Sequence, residues 1–281
     1  MSPHAFAPGK MILSGEYAVL FGYRGIVFPT SAGISAEFSE DTASAHVSVA
    51  WRDADVDGRW REYAEKIVAH CRPHARGGGR LFIHSNLPLR KGMGSSTALV
   101  IALTRVLVGE GTQDVARHIE DKMNPGHSGL DFACIWGGEP IVFRRGVPAE
   151  RRVLPLGLRE EGALIDTGVP NDATSTLVAW IKEREEEVRD ALATIGNCTE
   201  RIIAGEPLFT VVRDHHRAQA RLGVVPRGVR QLIASIEEGG GAAKIIGAGS
   251  RSGGGGMVLA LGDEREIRAI AQTHSMPTMP L

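Results

Sequence analysis

The sequence has few cysteines and no long hydrophobic segment. Its three cysteines, Cys71, Cys134 and Cys198, lie far apart and form no CxxC pair, which argues against a disulfide framework and a cysteine metal site. No stretch approaches the roughly 18 apolar residues of a membrane-spanning helix. The first residues also lack the basic segment and apolar run of a secretory signal. We therefore expect a cytoplasmic protein with reduced thiols and no membrane partner.

The chain also lacks a strong charge of either sign. Its formal net charge is −1, which gives no indication of a nucleic-acid or polyanion partner. A length of 281 residues suits one large domain or two smaller ones. The segment 147–158 combines prolines with charged residues, and we place a domain boundary there, between residues 1–150 and 151–281.

Glycine is abundant, and it is concentrated at a few places along the chain. Alternating apolar and polar residues between these places predict strands, and apolar residues at helical spacing predict helices. Strands are predicted at 34–38, 47–51, 80–85, 140–143, 162–166 and 258–261. Helices are predicted at 61–71, 96–108, 113–122, 177–195 and 229–238, the last being the final helix. The pattern indicates a mixed α+β fold.

Two further groups of residues have ordinary structural interpretations. His215 and His216 lie on a probable helix without other ligands nearby in sequence, so we expect surface or capping histidines and not metal ligands. The four tryptophans are expected to be buried or half-buried anchors.

A glycine-rich segment at 87–98, LPLRKGMGSSTA, connects a predicted strand to a predicted helix. The first N–H groups of a helix lack intrahelical partners and carry a partial positive charge, so they attract phosphate. Glycines allow the backbone to approach the anion closely. The segment contains neither GxxxxGK[ST] nor GxGxxG. From these residues alone, a phosphate site and an ordinary N-capped helix are equally open.

Four segments resemble, in the same order, the signatures of the GHMP kinases, the family of galactokinase, homoserine kinase, mevalonate kinase and phosphomevalonate kinase. The segment 88–98 resembles the second signature, PxxxGLGSSAA, and 7–20 (APGKMILSGEYAVL) resembles the first. The segment 124–131 (NPGHSGLD) resembles the G-x-P-S-G-[IV]-D segment of mevalonate kinases, and Glu120 lies eleven residues before Asp131, as in those enzymes. The segment 244–249 (KIIGAG) resembles the third signature.

The chain carries extra residues relative to the family pattern at two places. Residues 250–252 (SRS) are inserted before the glycines of the third signature, and 169–174 (VPNDAT) resembles the V-P-x-x-T segment with one extra residue. The insertion either places the Arg251 guanidinium beside phosphates or substrate, or forms a surface turn. Both interpretations are open.

The resemblance implies a two-domain fold with a ribosomal-protein-S5-like N-terminal domain, which binds ATP, and a ferredoxin-like C-terminal domain. It implies an ATP- and Mg²⁺-dependent transfer of the γ-phosphate to an alcohol, in a family that is often dimeric. Asp131 would accept the hydroxyl proton, and Lys10 would keep Asp131 ionised. The expected ATP contacts are Gly92, Met93, Gly94, Ser95, Ser96 and Thr97. Ser96 and Glu120 would bind Mg²⁺. The expected substrate contacts are Glu16, Tyr17, Ser128, Thr174, Gly247, Ala248 and Gly249.

Mevalonate, a precursor of isoprenoids, is the first candidate substrate, because the segment ending at Asp131 resembles mevalonate kinases. Tyr17 favours phosphomevalonate, since phosphomevalonate kinases usually carry tyrosine at the matching position. A second phosphate would need further cations, for which Lys91 and Arg251 are candidates. Another small alcohol is a further alternative. A different class of function is a degenerate relative that binds nucleotide or metabolite without catalysis. Both Asp131 and Thr174 could instead be ordinary helix N-caps.

Overall fold

The computed structural model describes residues 3–41, 43–52, 58–75, 77–153, 158 and 162–281. Its strands are β1 (His4–Ser14), β2 (Gly25–Asp41), β3 (Val47–Trp51), β4 (Gly78–Ser85), β5 (Ile141–Phe143), β6 (Glu150–Arg151), β7 (Gly162–Asp166), β8 (Ala242–Ile245), β9 (Met257–Leu261) and β10 (Thr278–Pro280). Its helices are α1 (Gly58–Cys71), α2 (Ser95–Leu107), α3 (Gln113–Met123), α4 (Leu130–Gly137), α5 (Thr174–Glu183), α6 (Glu185–Ile203), α7 (Leu208–Leu222), α8 (Arg227–Glu238) and α9 (Glu264–Thr273).

The chain divides into two compact units. Unit 1 comprises Met1–Lys10, Pro29–Pro88 and Gly94–Gly138, and unit 2 comprises Met11–Phe28, Leu89–Met93 and Glu139–Leu281. Each unit is therefore assembled from separate stretches of sequence. The boundary expected within 147–158 falls partly outside the described residues, at 154–157, and the domains 1–150 and 151–281 stay a prediction.

Unit 1 is organised around helix α2, which is apolar on nearly all sides. Its residues from Ala98 to Leu103 are fully buried, as expected for a helix that is surrounded by other elements. Helices α1, α3 and α4 pack against it. In the sheet, β4 pairs with the second half of β2 in antiparallel register and with β3 in parallel register. Strand β1 also pairs with β2. In unit 2, the first residues of β2 pair with β5, and β5 pairs with β6.

Unit 2 contains an antiparallel sheet in the order β10-β7-β9-β8. Residues of α8 and α9 pack with this sheet in one hydrophobic cluster, which includes Leu232, Ile236 and Ile267. A second cluster joins α5, α6 and α7 through residues such as Leu177 and Ile195. The α+β class predicted from the sequence is confirmed.

The prediction of a single helix at 177–195 is wrong, because this part of the chain forms two helices, α5 and α6, with a break at Arg184. The backbone there leaves helical geometry (φ −107, ψ 20), and the Arg184 guanidinium lies 4.1 Å from the centre of the Trp180 ring. Leu177 and Val188 belong to the same hydrophobic cluster across the break, so apolar spacing does not reveal it. Helix α8 is also not the final helix, since α9 follows, with Asp263 accepting hydrogen bonds as its N-cap.

The predicted surface position of the two histidines is wrong. His215 is 1% exposed and His216 is 9% exposed, so both belong to the interior of unit 2. The four tryptophans are half-buried, as predicted. All three cysteines are buried, free thiols, as predicted. Within the described residues, no helix combines the length and the apolar character that crossing a membrane requires.

Replacement of Gly196 by alanine should destabilise the protein, although alanine usually stabilises a helix interior by about 1 kcal/mol relative to glycine. A Cβ atom at Gly196, in α6, would lie 2.2 Å from Cδ1 of Tyr23, and the ring must move. Because overpacking typically costs about 1–3 kcal/mol, Gly196→Ala should lower the free energy of unfolding in urea.

The matched control is Gly228→Ala near the start of α8, where no described atom lies within 4 Å of the new Cβ. This variant should be neutral or stabilised by up to about 1 kcal/mol. Combining Tyr23→Ala with Gly196→Ala should remove the clash. Equal stabilisation by the two single glycine replacements would contradict the prediction.

Candidate active site

Lys10 and Asp131 form an ion pair in unit 1, with 3.2 Å between Lys10 Nζ and Asp131 Oδ1. The Lys10 side chain is 4% exposed and the Asp131 side chain 34%. Asp131 lies in the first turn of α4, where the helix dipole favours a carboxylate. The N-cap position is Gly129, and no described side chain caps the helix there. The N-cap interpretation of Asp131 is therefore wrong, and its carboxylate faces the buried lysine.

The beginning of α2 lies against this lysine. Gly94, at the N-cap position, has the left-handed backbone conformation (φ 75), and no described side chain caps the helix. A Cβ atom there would lie 2.9 Å from both Lys10 Cγ and Ile135 Cδ1. Only glycine suits both the conformation and the space. The positive end of the α2 dipole and the Lys10 ammonium therefore lie close together, as an anion-binding site requires.

Glu120, on α3, is buried, with 1% exposure. Thr97 Oγ1 donates a hydrogen bond of 2.7 Å to Glu120 Oε1. Among the described residues, Glu120 Oε2 receives no hydrogen bond of normal geometry, although the Asn124 side chain is close enough to lower the pKa. Burial outweighs these contacts and raises the pKa of Glu120. An incompletely paired buried carboxylate is unfavourable unless a cation completes it.

The Tyr63 side chain lies near both Glu120 and Ser96. The Tyr63 hydroxyl donates to Asn124 Oδ1 at 3.1 Å and contacts the Ser96 hydroxyl. Burial makes the largest contribution to raising the pKa of Tyr63, and the negative charge of Glu120 raises it further. Sequence reasoning missed Tyr63 and Asn124. Asn124 falls within the segment used for the resemblance, whereas nothing in the sequence distinguishes Tyr63 from other apolar-face residues of α1.

The donors in this cluster suit Mg²⁺, which prefers hard oxygen ligands and retains several waters. Glu120 Oε2 and the Ser96 hydroxyl are the oxygens that could bind it. The described residues contain no group of three or more His, Cys, Asp or Glu side chains that could hold a metal ion. A transition-metal site is therefore not indicated in them, and the predicted Ser96 and Glu120 pair stays the candidate.

In unit 2, the loop residues that precede α2 pack on the third glycine segment. A Cβ atom at Gly247 would lie 2.9 Å from Gly92 Cα, so both positions need glycine for this approach. Met93 is 1% exposed, and Lys91 pairs with Asp166. The second and third glycine segments, far apart in sequence, therefore contact each other.

Glu16 is buried in unit 2 with charged partners. Lys244 Nζ donates to Glu16 Oε1, and His215 Nε2 lies 3.0 Å from Glu16 Oε2. Burial acts to raise the pKa of Glu16, but Lys244 and then His215 outweigh it and hold the pKa at about 2. Burial lowers the pKa of His215, so Lys244 provides the compensating charge. Neither partner of Glu16 was predicted.

Tyr17 also makes an internal contact, because its hydroxyl donates to the Ala248 carbonyl oxygen at 2.6 Å. Thr174 is exposed and is the first residue of α5, after Ala173 at the N-cap position, so the N-cap interpretation of Thr174 is wrong. The structure thus places the predicted site residues in two groups. Unit 1 contains Lys10, Gly94, Ser95, Ser96, Thr97, Glu120, Ser128 and Asp131. Unit 2 contains Glu16, Tyr17, Gly92, Met93, Thr174, Gly247, Ala248 and Gly249. Their individual roles stay predictions.

Comparison with protein families gives a match to the GHMP kinases N terminal domain over residues 62–138. This stretch contains α2, Glu120 and Asp131. The chain is also 25% identical to a mevalonate kinase from Archaeoglobus fulgidus, over 92% of this chain and 91% of that protein.

Several solved kinase structures share the fold over nearly the whole chain. A mevalonate kinase from Methanococcus jannaschii has a TM-score of 0.80 at 17% identity, covering 99% of this chain and 97% of that one. L. major mevalonate kinase in complex with R-mevalonate has a TM-score of 0.74 at 18% identity, covering 98% and 91%. Streptococcus pneumoniae phosphomevalonate kinase, in complex with phosphomevalonate and AMPPNP, has a TM-score of 0.76 at 16% identity, covering 99% of both chains. Taken with the site in unit 1, these matches show that the chain is similar to GHMP kinases in sequence over residues 62–138 and in fold over nearly its whole length.

Proposed function

We propose that this protein is an ATP- and Mg²⁺-dependent kinase that phosphorylates the hydroxyl group of a small alcohol, with mevalonate as the first candidate. The observation that carries the proposal is the Lys10–Asp131 ion pair, which lies beside the N-terminus of α2 at Gly94. This arrangement provides a carboxylate that can accept a proton and an adjacent site for a phosphate group. The similarity to mevalonate kinases over more than nine-tenths of the chain supports the choice of reaction.

Phosphoryl transfer depends on positioning and on neutralising charge. The acceptor oxygen forms a bond to the γ-phosphorus while the bond between that phosphorus and the bridging oxygen of ADP breaks. Asp131 accepts the proton of the hydroxyl, and Lys10 offsets negative charge on the reacting oxygens. Backbone N–H groups in the first turn of α2 bind phosphate oxygens. Ser96 and Glu120 would hold Mg²⁺, which would supply positive charge to neutralise the phosphates.

The charges of unit 2 favour an acceptor without a phosphate group. Lys91 and Arg251 are the cations suggested by the sequence for a second phosphate, yet Lys91 pairs with Asp166 and Arg251 with Asp172. Binding a phosphorylated acceptor through either side chain would require breaking an existing ion pair. Mevalonate is therefore preferred, and phosphomevalonate is the second candidate.

An ADP-release assay with mevalonate, phosphomevalonate, homoserine and galactose tests the proposal directly. We expect release that depends on Mg²⁺ and is fastest with mevalonate. Faster release with phosphomevalonate would refute the substrate choice while preserving the reaction type. Binding of ATP without release in the presence of any of these alcohols would indicate a non-catalytic binding protein.

Replacement of Asp131 by asparagine should reduce kcat by about 10²–10⁴-fold, the usual contribution of a general base. The dissociation constant for ATP should change little, because the phosphates are assigned to α2. The comparison requires steady-state kinetics together with calorimetric ATP binding. Asp114→Asn, at an exposed position of α3, is the control and should retain normal kcat. Near-normal turnover of Asp131→Asn would end this assignment.

Replacement of Glu120 by glutamine should raise the Mg²⁺ concentration needed for half-maximal rate by at least about tenfold. The same change should preserve or increase the melting temperature without Mg²⁺, because it removes a buried, incompletely paired charge while keeping an acceptor for Thr97. Titration of Mg²⁺ and thermal denaturation measure the two effects. An unchanged Mg²⁺ requirement would show that Glu120 is not a ligand.

A further inference from the structure

The two segments that carry extra residues relative to the family pattern contact each other in unit 2. Asp172, in the segment with one extra residue, accepts hydrogen bonds from the inserted residues 250–252. Its Oδ2 accepts from Ser250 Oγ at 2.9 Å and from the Arg251 N–H at 2.8 Å. Its Oδ1 accepts from Arg251 Nε at 3.0 Å and from Arg251 Nη2 at 2.5 Å. We call Asp172, Ser250 and Arg251 the Asp172 clamp.

The clamp is an ordered contact and not a chance surface ion pair. The Asp172 side chain is 10% exposed, and its backbone N–H donates to Ser250 Oγ at 3.2 Å. Hydrogen bonds from the Arg251 side chain and backbone hold the pKa of Asp172 at about 2, so it remains ionised at neutral pH. The Arg251 guanidinium also lies 5.4 Å from the centre of the Trp180 ring. Four hydrogen bonds to one carboxylate fix the loop more firmly than a single exposed pair would.

The backbone beside the clamp is connected in the same way. Gly254 N–H donates to the Val169 carbonyl at 3.3 Å, and Gly256 N–H donates to the Gly168 carbonyl at 3.0 Å. Pro170 and Gly253 form an isolated antiparallel bridge. The segments 168–172 and 250–256 are therefore held side by side, and the clamp closes one end of this pairing.

Predicted substrate contacts flank the clamp on both segments. Thr174 follows Asp172 by two residues, and Gly247–Gly249 directly precede Ser250. Tyr17 fixes the same glycine segment from another direction through the Ala248 carbonyl. A shift of the inserted loop would move both groups of residues, because each is covalently close to a member of the clamp.

We propose that the Asp172 clamp positions the acceptor-binding segments around Thr174 and Gly247–Gly249, and that Arg251 serves this role without contacting phosphate. The proposal rests on the kinase function proposed above. Loss of the clamp leaves the binding-competent loop conformation only partly populated. The apparent dissociation constant for the alcohol then rises in inverse proportion to the populated fraction. The phosphate contacts assigned to the first turn of α2 lie in unit 1, outside the clamp segments, so loss of the clamp should affect the alcohol more than ATP.

A double-mutant cycle with Asp172→Asn, Arg251→Gln and their combination tests the proposal. Each single variant should raise the KM for the best alcohol by about three- to tenfold, and the double variant should be no worse than either, because one interaction is lost in all three. The KM for ATP and kcat should stay within twofold of the wild type. Arg268→Gln, which removes an exposed pair with Glu264 on α9, is the control and should change none of these constants.

Trypsin cleavage after Arg251 tests the loop without relying on activity. The wild type should resist cleavage at this bond, and Asp172→Asn should be cleaved there faster, with the site identified by mass spectrometry. A wild type that releases no ADP with any alcohol would refute the proposed function, and the cleavage comparison would still decide whether the clamp holds the loop.

Three kinetic results would overturn the proposal. A rise in the KM for ATP in Arg251→Gln would assign the guanidinium to the phosphates. Additive effects of the two replacements, or a fall in kcat with both KM values unchanged, would show independent or purely structural roles. Unchanged cleavage after Arg251 in Asp172→Asn would also exclude the clamp.

Discussion

The contact between Gly94 and Lys10 is the constraint on which the site in unit 1 depends. A side chain at residue 94 would occupy the space of the Lys10 methylene groups and of Ile135, so α2 can begin here only with glycine. The same helix start places Thr97 where it can donate to Glu120. Lys10 is nearly inaccessible to water, and its charge requires a partner that Asp131 provides. The absence of a Cβ atom at Gly94 therefore allows Lys10, Asp131 and the N-terminus of α2 to pack close together.

The two buried glutamates, Glu16 and Glu120, differ in the charged groups that lie beside them. Glu16 has a lysine and a histidine beside its oxygens, and its pKa is held low. Glu120 is equally buried, but a threonine hydroxyl satisfies one oxygen and the other is left without a hydrogen bond among the described residues. Burial consequently dominates at Glu120 and raises its pKa. The expected substrate role of Glu16 has to be compatible with an existing set of partners, whereas Glu120 retains an oxygen for a cation.

Local sequence patterns predict much of this structure, and the failures have a common physical cause. The start of α2, the strand β7 and the proximity of Lys10 to Asp131 follow from glycine signals, alternation and a family resemblance. Lys244 and His215 are separated from Glu16 by about two hundred residues, and no periodicity marks such a pairing. The break at Arg184 cannot be predicted from apolar spacing for a related reason. The hydrophobic cluster continues across it, so α5 and α6 together show the burial pattern of a single helix. The two sequence insertions look unrelated until the structure brings Asp172 to Arg251.

The buried cysteines give each unit its own chemical reporter. Cys71 and Cys134 belong to unit 1 and Cys198 to unit 2, and burial raises the pKa of all three thiols. Alkylating reagents react with the exposed thiolate, so modification of each thiol requires that its surroundings open. The order in which these three positions are labelled in dilute denaturant therefore reveals whether the two units unfold together or one after the other, without any introduced probe.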